Sequence, residues 1–303
     1  MRRLICIIGP TASGKTALSI RLAQKLGAEI VSCDSVQLYK GFDIGSAKPT
    51  VRERAGIRHF MLDIAEPQEI WSAGRYAGKA LDAIEQIFKR GKQPIICGGT
   101  GLYLSAVTNG LNNIPPAPRL DHGSGAYEEL LQVDPDYAAT ISCRDIRRIC
   151  RALDVYKATG KPFSSFHVQA SPPDFTPVYI GTLSYDRSSD IEKRADEMLS
   201  AGLIEETQAL LGIGVPDNCP PMQAIGYKQA RAVLRGDMSQ AECRGEIILR
   251  TRQYAKRQMT WFKNRTDAIW LQRPCENRTR ASQEHFESAM KILTDPPWGS
   301  DAH

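Results

Sequence analysis

Short apolar runs recur along the chain and alternate with stretches of helical periodicity. Four of these runs predict buried strands, at residues 4–8, 29–33, 94–97 and 178–183. Between them, segments such as residues 77–89 carry apolar side chains at the spacing of an amphipathic helix. Alternating strands and helices predict an α/β fold with a parallel sheet, in which ligands bind beyond the carboxyl ends of the strands.

Two proline-rich segments interrupt this pattern, at residues 112–118 and 171–177. Neither can continue a helix or a central strand. We therefore expect residues 113–175 to form a small helical insert, and residues 1–112 and 176–303 to form the core domain.

The chain after residue 190 has a helical pattern almost throughout. The pattern predicts helices over residues 191–211, 223–234 and 241–263. The final thirty or so residues carry few apolar repeats and are expected to form a peripheral helix and a loose tail.

The first predicted strand is followed by Gly9-Pro10-Thr11-Ala12-Ser13-Gly14-Lys15-Thr16 and then by a predicted helix. This is the pattern of a phosphate-binding loop, where small residues let backbone N–H groups face phosphate oxygens. Lys15 adds a positive charge, the Thr16 hydroxyl is a ligand for Mg²⁺, and the helix start adds its positive dipole end. The alternative is an ordinary glycine-containing turn, which leaves Lys15 and Thr16 unexplained. The predicted fold is thus of the P-loop NTPase type, a parallel sheet with flanking helices and a helical insert domain.

Polar motifs also follow the second and third predicted strands. Asp34 and Ser35 come after the second, with Gln37 close behind, and Thr100 lies in a glycine-flanked turn after the third. Asp34 has three interpretations: a Mg²⁺ ligand through water, a proton acceptor, or a cap for the next segment. The Thr100 turn either lets the backbone approach a ligand or is a plain tight turn. We expect the three strand-end motifs to converge on one cleft.

Basic residues are clustered, although the net charge of +5 is too small to establish a nucleic-acid partner by itself. One cluster lies in the predicted insert and contains Arg144, Arg147, Arg148 and Arg151. The other contains Arg250, Arg252, Lys256, Arg257, Lys263 and Arg265, interleaved with glutamines and aromatic residues. A mixture of basic and aromatic side chains is typical of RNA-binding surfaces. The alternative interpretation of either cluster is a basic helix face that is only solvated.

The composition, 42% hydrophobic and 24% charged, is that of a globular protein. Its eight cysteines are scattered without C-x-x-C spacing, which argues against a zinc site or a disulfide framework and favours a reducing compartment. The apolar run after Arg2-Arg3 is too short for a signal peptide, and no stretch is long enough to span a bilayer. We expect a cytoplasmic protein without a membrane partner, and nothing in the sequence requires more than a monomer.

Taken together, the motifs resemble those of bacterial tRNA dimethylallyltransferases, over residues 4 to about 270. The resemblance rests on the phosphate loop and on these strings: residues 34–39 (DSVQLY), 43–49 (DIGSAKP), 98–103 (GGTGLY), 151–155 (RALDV), 224–227 (AIGY) and 251–258 (TRQYAKRQ). It implies that the loop holds the diphosphate of dimethylallyl diphosphate rather than ATP, with Mg²⁺ on Thr16. It also implies that Asp34 is the general base on the exocyclic amine of an adenine beside the anticodon, and that Thr100 helps to position that base.

The resemblance assigns further residues to each substrate. Those assigned to the diphosphate are Gly9, Thr11, Ala12, Ser13, Gly14, Lys15, Thr16 and Arg194. Those assigned to the tRNA anticodon stem-loop are Asp34, Ser35, Val36, Gln37, Thr100, Arg119, Arg147, Arg148, Ile149, Cys150, Arg151, Gln223, Lys256 and Arg257. From spacing alone, Arg194 either reaches an anionic ligand or faces water.

The chain departs from the family pattern in the insert. The stretch at residues 119–133 is shorter than the family's usual insert, Ser142-Cys143-Arg144-Asp145 replaces a frequent His-Pro-Asn-Asp, and Asp190 stands where an arginine is expected. Three other functions stay open from the residues alone: a small-molecule kinase using ATP, an RNA-binding module without chemistry, and a prenyltransferase acting on free AMP.

Overall fold

The computed structural model describes residues 2–110, 114–166, 173–273 and 278–294. The predicted core–insert boundary at residues 112 and 113, Cys275 and the expected tail after residue 294 lie outside the described residues. The chain divides into two compact units, Met1–Val107 with Asp174–His303, and Thr108–Pro173. The insert predicted from the sequence, residues 113–175, overlaps the second unit at residues 113–173.

The first unit is built on one six-stranded parallel sheet, which confirms the predicted α/β class. Its strands are β1 Arg3–Ile8, β2 Glu29–Cys33, β3 His59–Phe60, β4 Pro94–Gly98, β5 Thr176–Ser184 and β6 Ile269–Arg273. Their order is β3-β2-β4-β1-β5-β6. The edge strands β3 and β6 are not predicted from the sequence because their apolar runs are too short to stand out from loops.

Helices cover both faces of the sheet in the first unit, and further helices lie in the second unit. They are α1 Lys15–Leu26, α2 Ala73–Lys89, α3 Gly101–Thr108, α4 Ala126–Val133, α5 Pro135–Ala138, α6 Ile146–Thr159, α7 Arg187–Ser200, α8 Leu203–Gly212, α9 Tyr227–Leu234, α10 Gln240–Arg265 and α11 Arg278–Thr294. Of these, α4 to α6 belong to the second unit. Along β1, Leu4, Cys6 and Ile8 pack into one core, and Ile5 and Ile7 into the other. This alternation follows from the two-residue period of a strand. The first core is covered by α2, α3 and α7–α10, and the second by α1 and α11.

The register of the central strands brings their carboxyl ends together. Ile8, the last residue of β1, pairs with Gly98 of β4 and Gly181 of β5, and Cys33 at the end of β2 also pairs with Gly98. The segments after β1, β2 and β4 therefore leave the sheet side by side. This is the edge where the fold class places ligands.

Two predicted helices are interrupted where glycines adopt left-handed backbone angles. The predicted helix over residues 191–211 is wrong as one element, because Gly202 (φ 97°) separates α7 from α8. Likewise, the prediction for residues 223–234 is corrected, since Gly226 (φ 98°) separates a short 3₁₀ turn at Pro221–Gln223 from α9. A positive φ is costly for residues with a Cβ, so glycine fits both breaks.

The second unit has a small core of its own. Residues of α4, α5 and α6 and of a 3₁₀ turn at Phe163–Phe166 pack together, with Leu130, Ile149 and Leu153 fully buried. Among the helices that the structure describes in either unit, none is long and apolar enough to cross a membrane.

Candidate active site

The loop between β1 and α1 is shaped by close contacts with β5. Gly9 has a φ of 147°, and a Cβ there would lie 2.5 Å from the Thr182 carbonyl oxygen. The buried hydroxyls of Ser13 and Thr182 are hydrogen-bonded at 2.6 Å. Ala12 and Gly14 adopt left-handed angles, with φ of 63° and 88°. Of the predicted diphosphate ligands, Gly9, Ala12, Ser13 and Gly14 therefore set the loop's path, and the Ser13 side chain is committed to β5.

Lys15 lies at the start of α1 and folds back over the loop. Its Nζ donates a hydrogen bond to the Pro10 carbonyl at 2.6 Å. Burial lowers the pKa of Lys15 to about 8, and the nearby Arg194 guanidinium adds to this, while Asp34 and Cys97 oppose it. Burial likewise lowers the pKa of Arg194, which the Asp34 carboxylate partly offsets. Two desolvated cations and one carboxylate thus lie within electrostatic reach of one another.

These groups share a cavity of about 340 Å³. The predicted site residues that line it are Thr11, Lys15, Thr16, Asp34, Ser35, Val36, Gln37, Arg194, Gln223 and Arg257. Arg194 therefore faces the cavity rather than bulk water, the alternative that spacing left open. Aliphatic side chains of α7 and α10, including Ile191, Met198 and Ile247, form another part of its wall.

Asp34 follows β2 directly, and its carboxylate both caps the next segment and lines the cavity. Its Oδ1 accepts hydrogen bonds from the backbone N–H groups of Val36 at 2.8 Å and Gln37 at 3.3 Å, so the carboxylate caps the following turn. The same side chain lines the cavity beside Lys15 and Thr16. The cap fixes the orientation of the carboxylate, which suits a proton acceptor that must meet a bound amine.

Thr100 follows β4 and is tied to the end of β2. Its N–H donates to the Cys33 carbonyl at 3.2 Å, and its Oγ1 accepts from the Ser35 N–H at 3.1 Å. The preceding Gly98 permits this approach, because a Cβ there would lie 2.0 Å from the Cys33 carbonyl oxygen. The turn therefore braces the segment that carries Asp34.

Two residues of α10, Tyr254 and Gln258, belong to this site although sequence reasoning treated them only as RNA-stacking and polar surface. Burial raises the pKa of Tyr254, the Asp34 charge raises it further, and a hydrogen bond from the Thr100 hydroxyl to the Tyr254 phenol oxygen opposes both. Gln258 bonds to the backbone of both Thr11 and Gly99. The cavity-lining residues 247, 251, 254 and 258 are spaced three or four positions apart, so they share one face of α10. This spacing is the sequence signal that could have assigned Tyr254 and Gln258 to the site.

The string at residues 43–49 holds the segment after Asp34 in place. Gln37 Nε2 donates to the carbonyls of Ser46 and Ala47, both at 3.2 Å. Lys48, buried to 7% exposure, donates to Asp43 at 2.6 Å and Asp63 at 2.5 Å. A buried lysine paired with two carboxylates is costly to break, so this segment is a fixed wall of the cavity.

The basic residues of α10 fall into two groups. Arg250 pairs with Glu246 at 2.9 Å and Arg252 with Glu192 at 2.5 Å, so these charges are already balanced. Lys256 and Arg257 are exposed, and the Arg257 guanidinium lies 5.9 Å from the centre of the Tyr254 ring. The structure thus separates Lys256 and Arg257, the two residues assigned to tRNA, from the paired Arg250 and Arg252 on the same helix.

The residues of the second unit that were assigned to tRNA differ in exposure. Arg119, Arg147 and Arg148 are exposed, and Arg148 pairs with Asp145 at 3.3 Å. Arg151 donates to the Pro115 carbonyl at 3.0 Å.

The side chains of the neighbouring Ile149 and Cys150 are less accessible. Cys150 is half-buried, whereas Ile149 is fully buried in the second core. The Ile149 side chain therefore packs in the core of the second unit, and the assignment of this residue to tRNA stays a prediction.

The donor set around Thr16 fits Mg²⁺ only together with a phosphate ligand. Among the described residues, no cluster of three or more acidic, histidine or cysteine side chains is able to hold a metal. Thr16 is exposed at the start of α1 and lines the cavity with Asp34. Mg²⁺ commonly keeps several waters and binds through few protein ligands plus substrate phosphates, which this arrangement matches.

Comparison with known proteins places the chain in one family. The family model described as IPP transferase matches residues 37–265. A tRNA dimethylallyltransferase of Shouchella clausii is 43% identical over 284 residues, covering 88% of this chain and 90% of the relative. A tRNA dimethylallyltransferase 1 of Trichlorobacter lovleyi is 41% identical over 292 residues, covering 91% and 96%.

Solved structures agree over nearly the whole chain. The tRNA delta(2)-isopentenylpyrophosphate transferase of Staphylococcus epidermidis superposes with a TM-score of 0.71 at 36% identity, covering 97% of this chain and 100% of the other. A eukaryotic dimethylallyltransferase acting on tRNA superposes with a TM-score of 0.83 at 29% identity, covering 98% of this chain and 81% of the other. The chain therefore belongs to the IPP transferase family, as the resemblance of its motifs to tRNA dimethylallyltransferases predicts.

Proposed function

We propose that this protein transfers the dimethylallyl group of dimethylallyl diphosphate to the exocyclic amine of the adenosine on the 3′ side of the anticodon in tRNA, releasing diphosphate. The observation that carries the proposal is the cavity shared by the phosphate loop and Asp34 in a member of this family. A diphosphate-binding loop and a proton acceptor in one cavity are what this transfer requires.

The diphosphate of the donor binds at the loop between β1 and α1. Lys15 and Arg194 supply positive charge, and the start of α1 supplies backbone N–H groups and its dipole. The Thr11 N–H already donates to Gln258, so Thr11, which lines the cavity, contributes its hydroxyl. Lys15 must leave the Pro10 carbonyl to reach a phosphate oxygen, a movement that its long side chain permits.

The acceptor amine is a weak nucleophile because its lone pair is delocalised into the adenine ring. It becomes strongly acidic as its nitrogen bonds to carbon 1 of the prenyl group, and Asp34 takes the proton that it loses. The carbon–oxygen bond to diphosphate breaks in the same event. Charge on the departing diphosphate is stabilised by Lys15, Arg194 and the loop N–H groups.

Mg²⁺ is proposed as the metal, held by the Thr16 hydroxyl together with diphosphate oxygens and water. When bound, it would neutralise negative charge on the diphosphate. The residues of this chain do the rest: they hold the donor, orient the base and take the proton.

The tRNA is proposed to deliver its adenine by extruding it from the anticodon loop into the cavity, since unstacking is least costly in a single-stranded loop. Arg257 and Gln223 line the cavity wall, and Lys256 is exposed next to Arg257 on α10, as suits contacts with RNA phosphates. The second unit adds Arg119, Arg147, Arg148 and Arg151 as further contacts. The proposed compartment is the cytoplasm, because unmodified tRNA and reduced thiols are found there. The proposed oligomeric state is a monomer, since nothing in the sequence requires more.

The test is mass spectrometry of unmodified bulk tRNA after incubation with the protein, Mg²⁺ and dimethylallyl diphosphate. We expect the mass of one dimethylallyl group on an anticodon-loop adenosine. Parallel reactions replace the prenyl donor with ATP, or the tRNA with free AMP. ATP consumption without prenylation would contradict the proposal in favour of a kinase, and prenylation of AMP but not tRNA would favour a free-nucleotide enzyme.

A further inference from the structure

Gln258 joins two parts of the active site that are far apart in the sequence. Its Oε1 accepts a hydrogen bond from the Thr11 N–H of the phosphate loop at 2.9 Å. Its Nε2 donates to the Gly99 carbonyl, in the turn after β4, at 2.9 Å. The side chain is 6% exposed and lines the cavity. Both ends of one buried amide are therefore bonded to the backbone of functional loops.

The chemistry at position 258 is narrowly defined. One partner is an N–H donor and the other a carbonyl acceptor, so the side chain must offer an acceptor and a donor at its two ends, as the glutamine amide does. A glutamate at position 258 cannot donate to Gly99 when ionised, and a methionine of similar length does neither. Gly99 is equally constrained, because a Cβ there would lie 2.2 Å from the Gln258 Nε2.

The contacts continue beyond Gln258 in both directions. On one side, Thr11 belongs to the loop that carries Lys15. On the other, Gly99 precedes Thr100, whose Oγ1 accepts from the N–H of Ser35, the residue after Asp34. Gln258 thus fixes the spacing between the diphosphate loop and the segment that carries the proposed base.

We propose that Gln258 is a positioning residue that couples the donor loop to the Thr100 turn, so that the bound donor meets the amine and Asp34 in reactive alignment. The proposal rests on the proposed prenyl transfer. Two reactants held in alignment react far faster than two that are merely bound, and a misplacement of about 1 Å costs roughly a hundredfold in rate. Loss of the bridge is therefore expected in turnover rather than in the binding of either substrate.

The first test compares Gln258→Met and Gln258→Glu with the wild type and with Gln240→Met, an exposed position at the start of the same helix. We expect kcat to fall roughly a hundredfold in both Gln258 variants. For Gln258→Met, two binding measures should stay within about twofold of the wild type: the KM for tRNA and the rise in melting temperature caused by inorganic diphosphate. Gln240→Met should match the wild type in every measurement. Unchanged kcat in folded Gln258→Met, or a loss confined to KM, would overturn the proposal.

A second test breaks the bridge from its other end. Gly99 has no left-handed φ, so Gly99→Ala changes space rather than backbone strain, and its new Cβ displaces the Gln258 amide. We expect Gly99→Ala to lower kcat in the wild type but to have little further effect in Gln258→Ala, where the displaced group is gone. Equal losses in both backgrounds would show that Gly99→Ala acts on the substrate directly, against the proposed coupling.

The two proposals fail in different ways. If wild-type protein prenylates no tRNA, the proposed function fails before Gln258 is tested. If the wild type is active and the Gln258 variants, folded by circular dichroism, are equally active, only the coupling fails. The melting-temperature shift with diphosphate is read without turnover and reports whether the donor loop itself is intact.

Discussion

The strand ends of the first unit and the basic face of α6 in the second unit carry their functional groups in different ways. At the strand ends, Asp34 accepts from two backbone N–H groups, Thr100 accepts from Ser35, and Lys15 donates to a loop carbonyl. On α6, Arg147 is exposed and Arg148 pairs only locally, with Asp145 of the preceding turn, in the part of the chain that the structure describes. Groups already held by hydrogen bonds lose little side-chain freedom on binding, even where Lys15 exchanges the Pro10 carbonyl for a phosphate oxygen, whereas exposed arginines lose side-chain freedom when RNA arrives. Changes at the strand ends should therefore reduce turnover, and changes on the basic helices should reduce affinity for tRNA.

The largest effect is expected at Asp34. Asp34→Asn keeps an Oδ1 that accepts from Val36 and Gln37, so it preserves the cap while removing the proton acceptor. Asp34→Ala removes both. We expect kcat to fall by roughly a thousandfold or more in each variant, the upper range for loss of a general base, with tRNA binding retained. Single-turnover prenylation and a filter-binding assay measure the two quantities.

The pair of variants separates the two roles of the carboxylate. If Asp34→Asn were as active as the wild type while Asp34→Ala were not, Asp34 would be a structural cap and the proton would go elsewhere. Melting temperatures report on the cap alone. Asp34→Ala removes the cap and should lose about 1 kcal/mol of stability, whereas Asp34→Asn keeps the cap and should melt like the wild type, whether or not Asp34 is a base.

On the basic helices, the double variant Lys256→Ala/Arg257→Ala is expected to raise the KM for tRNA roughly thirtyfold with kcat little changed. Each lost phosphate contact should also reduce the slope of affinity against salt concentration by about one. Arg252→Ala is the matched control, since it removes one charge from the same helix but that charge is already paired with Glu192. If Arg252→Ala weakened tRNA binding as much, the separation of α10 into paired and RNA-binding residues would be wrong.

The same assay sharpens the contrast with the second unit. Arg147→Ala/Arg148→Ala on α6 should raise the KM for tRNA roughly tenfold and leave prenylation at saturating tRNA unchanged. Lys157→Ala removes a charge that pairs with Glu129 in the same unit and serves as the control. A fall in kcat at saturating tRNA would mean that α6 does more than bind RNA.

The contrast also explains how much of the site could be read from the sequence. The phosphate loop, Asp34 and Thr100 were predictable because parallel strands deliver whatever follows them to one edge, so position along the chain becomes position in space. Gln258 and Tyr254 were not assigned to the cavity, because they lie on a helix remote in sequence whose inward face depends on packing. Ile149 shows that a motif includes residues with buried side chains beside residues whose side chains are exposed, and sequence alone does not separate them. The break at Gly202 was missed because apolar periodicity continues across it.

A smaller effect is expected at Thr100. Thr100→Val keeps the shape but removes the acceptor for the Ser35 N–H and the partner of the Tyr254 hydroxyl. Loss of such a positioning bond corresponds to about 1.4 kcal/mol, or roughly tenfold in kcat. Thr100→Ser restores the hydroxyl and should recover most of the activity. Equal activity of the valine and serine variants would show that the turn holds Asp34 in place without the hydroxyl.

The smallest effect is the response of donor binding to pH. The pKa of free Lys15 is lowered to about 8 by burial and by Arg194, so the ammonium is present below this pH and is lost as pH rises through it. A bound diphosphate favours the charged form of Lys15, which means that binding above pH 8 takes up a proton and weakens with rising pH.

The affinity for the diphosphate should hold up to about pH 7.5 and fall roughly fourfold between pH 7 and pH 8.5. The terminal phosphate of dimethylallyl diphosphate loses its last proton near pH 6, as phosphate monoesters do, so this ligand adds no change in this range. Titration calorimetry with dimethylallyl diphosphate, in the absence of tRNA and in two buffers of different ionisation enthalpy, measures both affinity and proton uptake. Lys15→Arg, which stays charged throughout, should give a flat profile without proton uptake, whereas the same decline in that variant would assign the titration to another group.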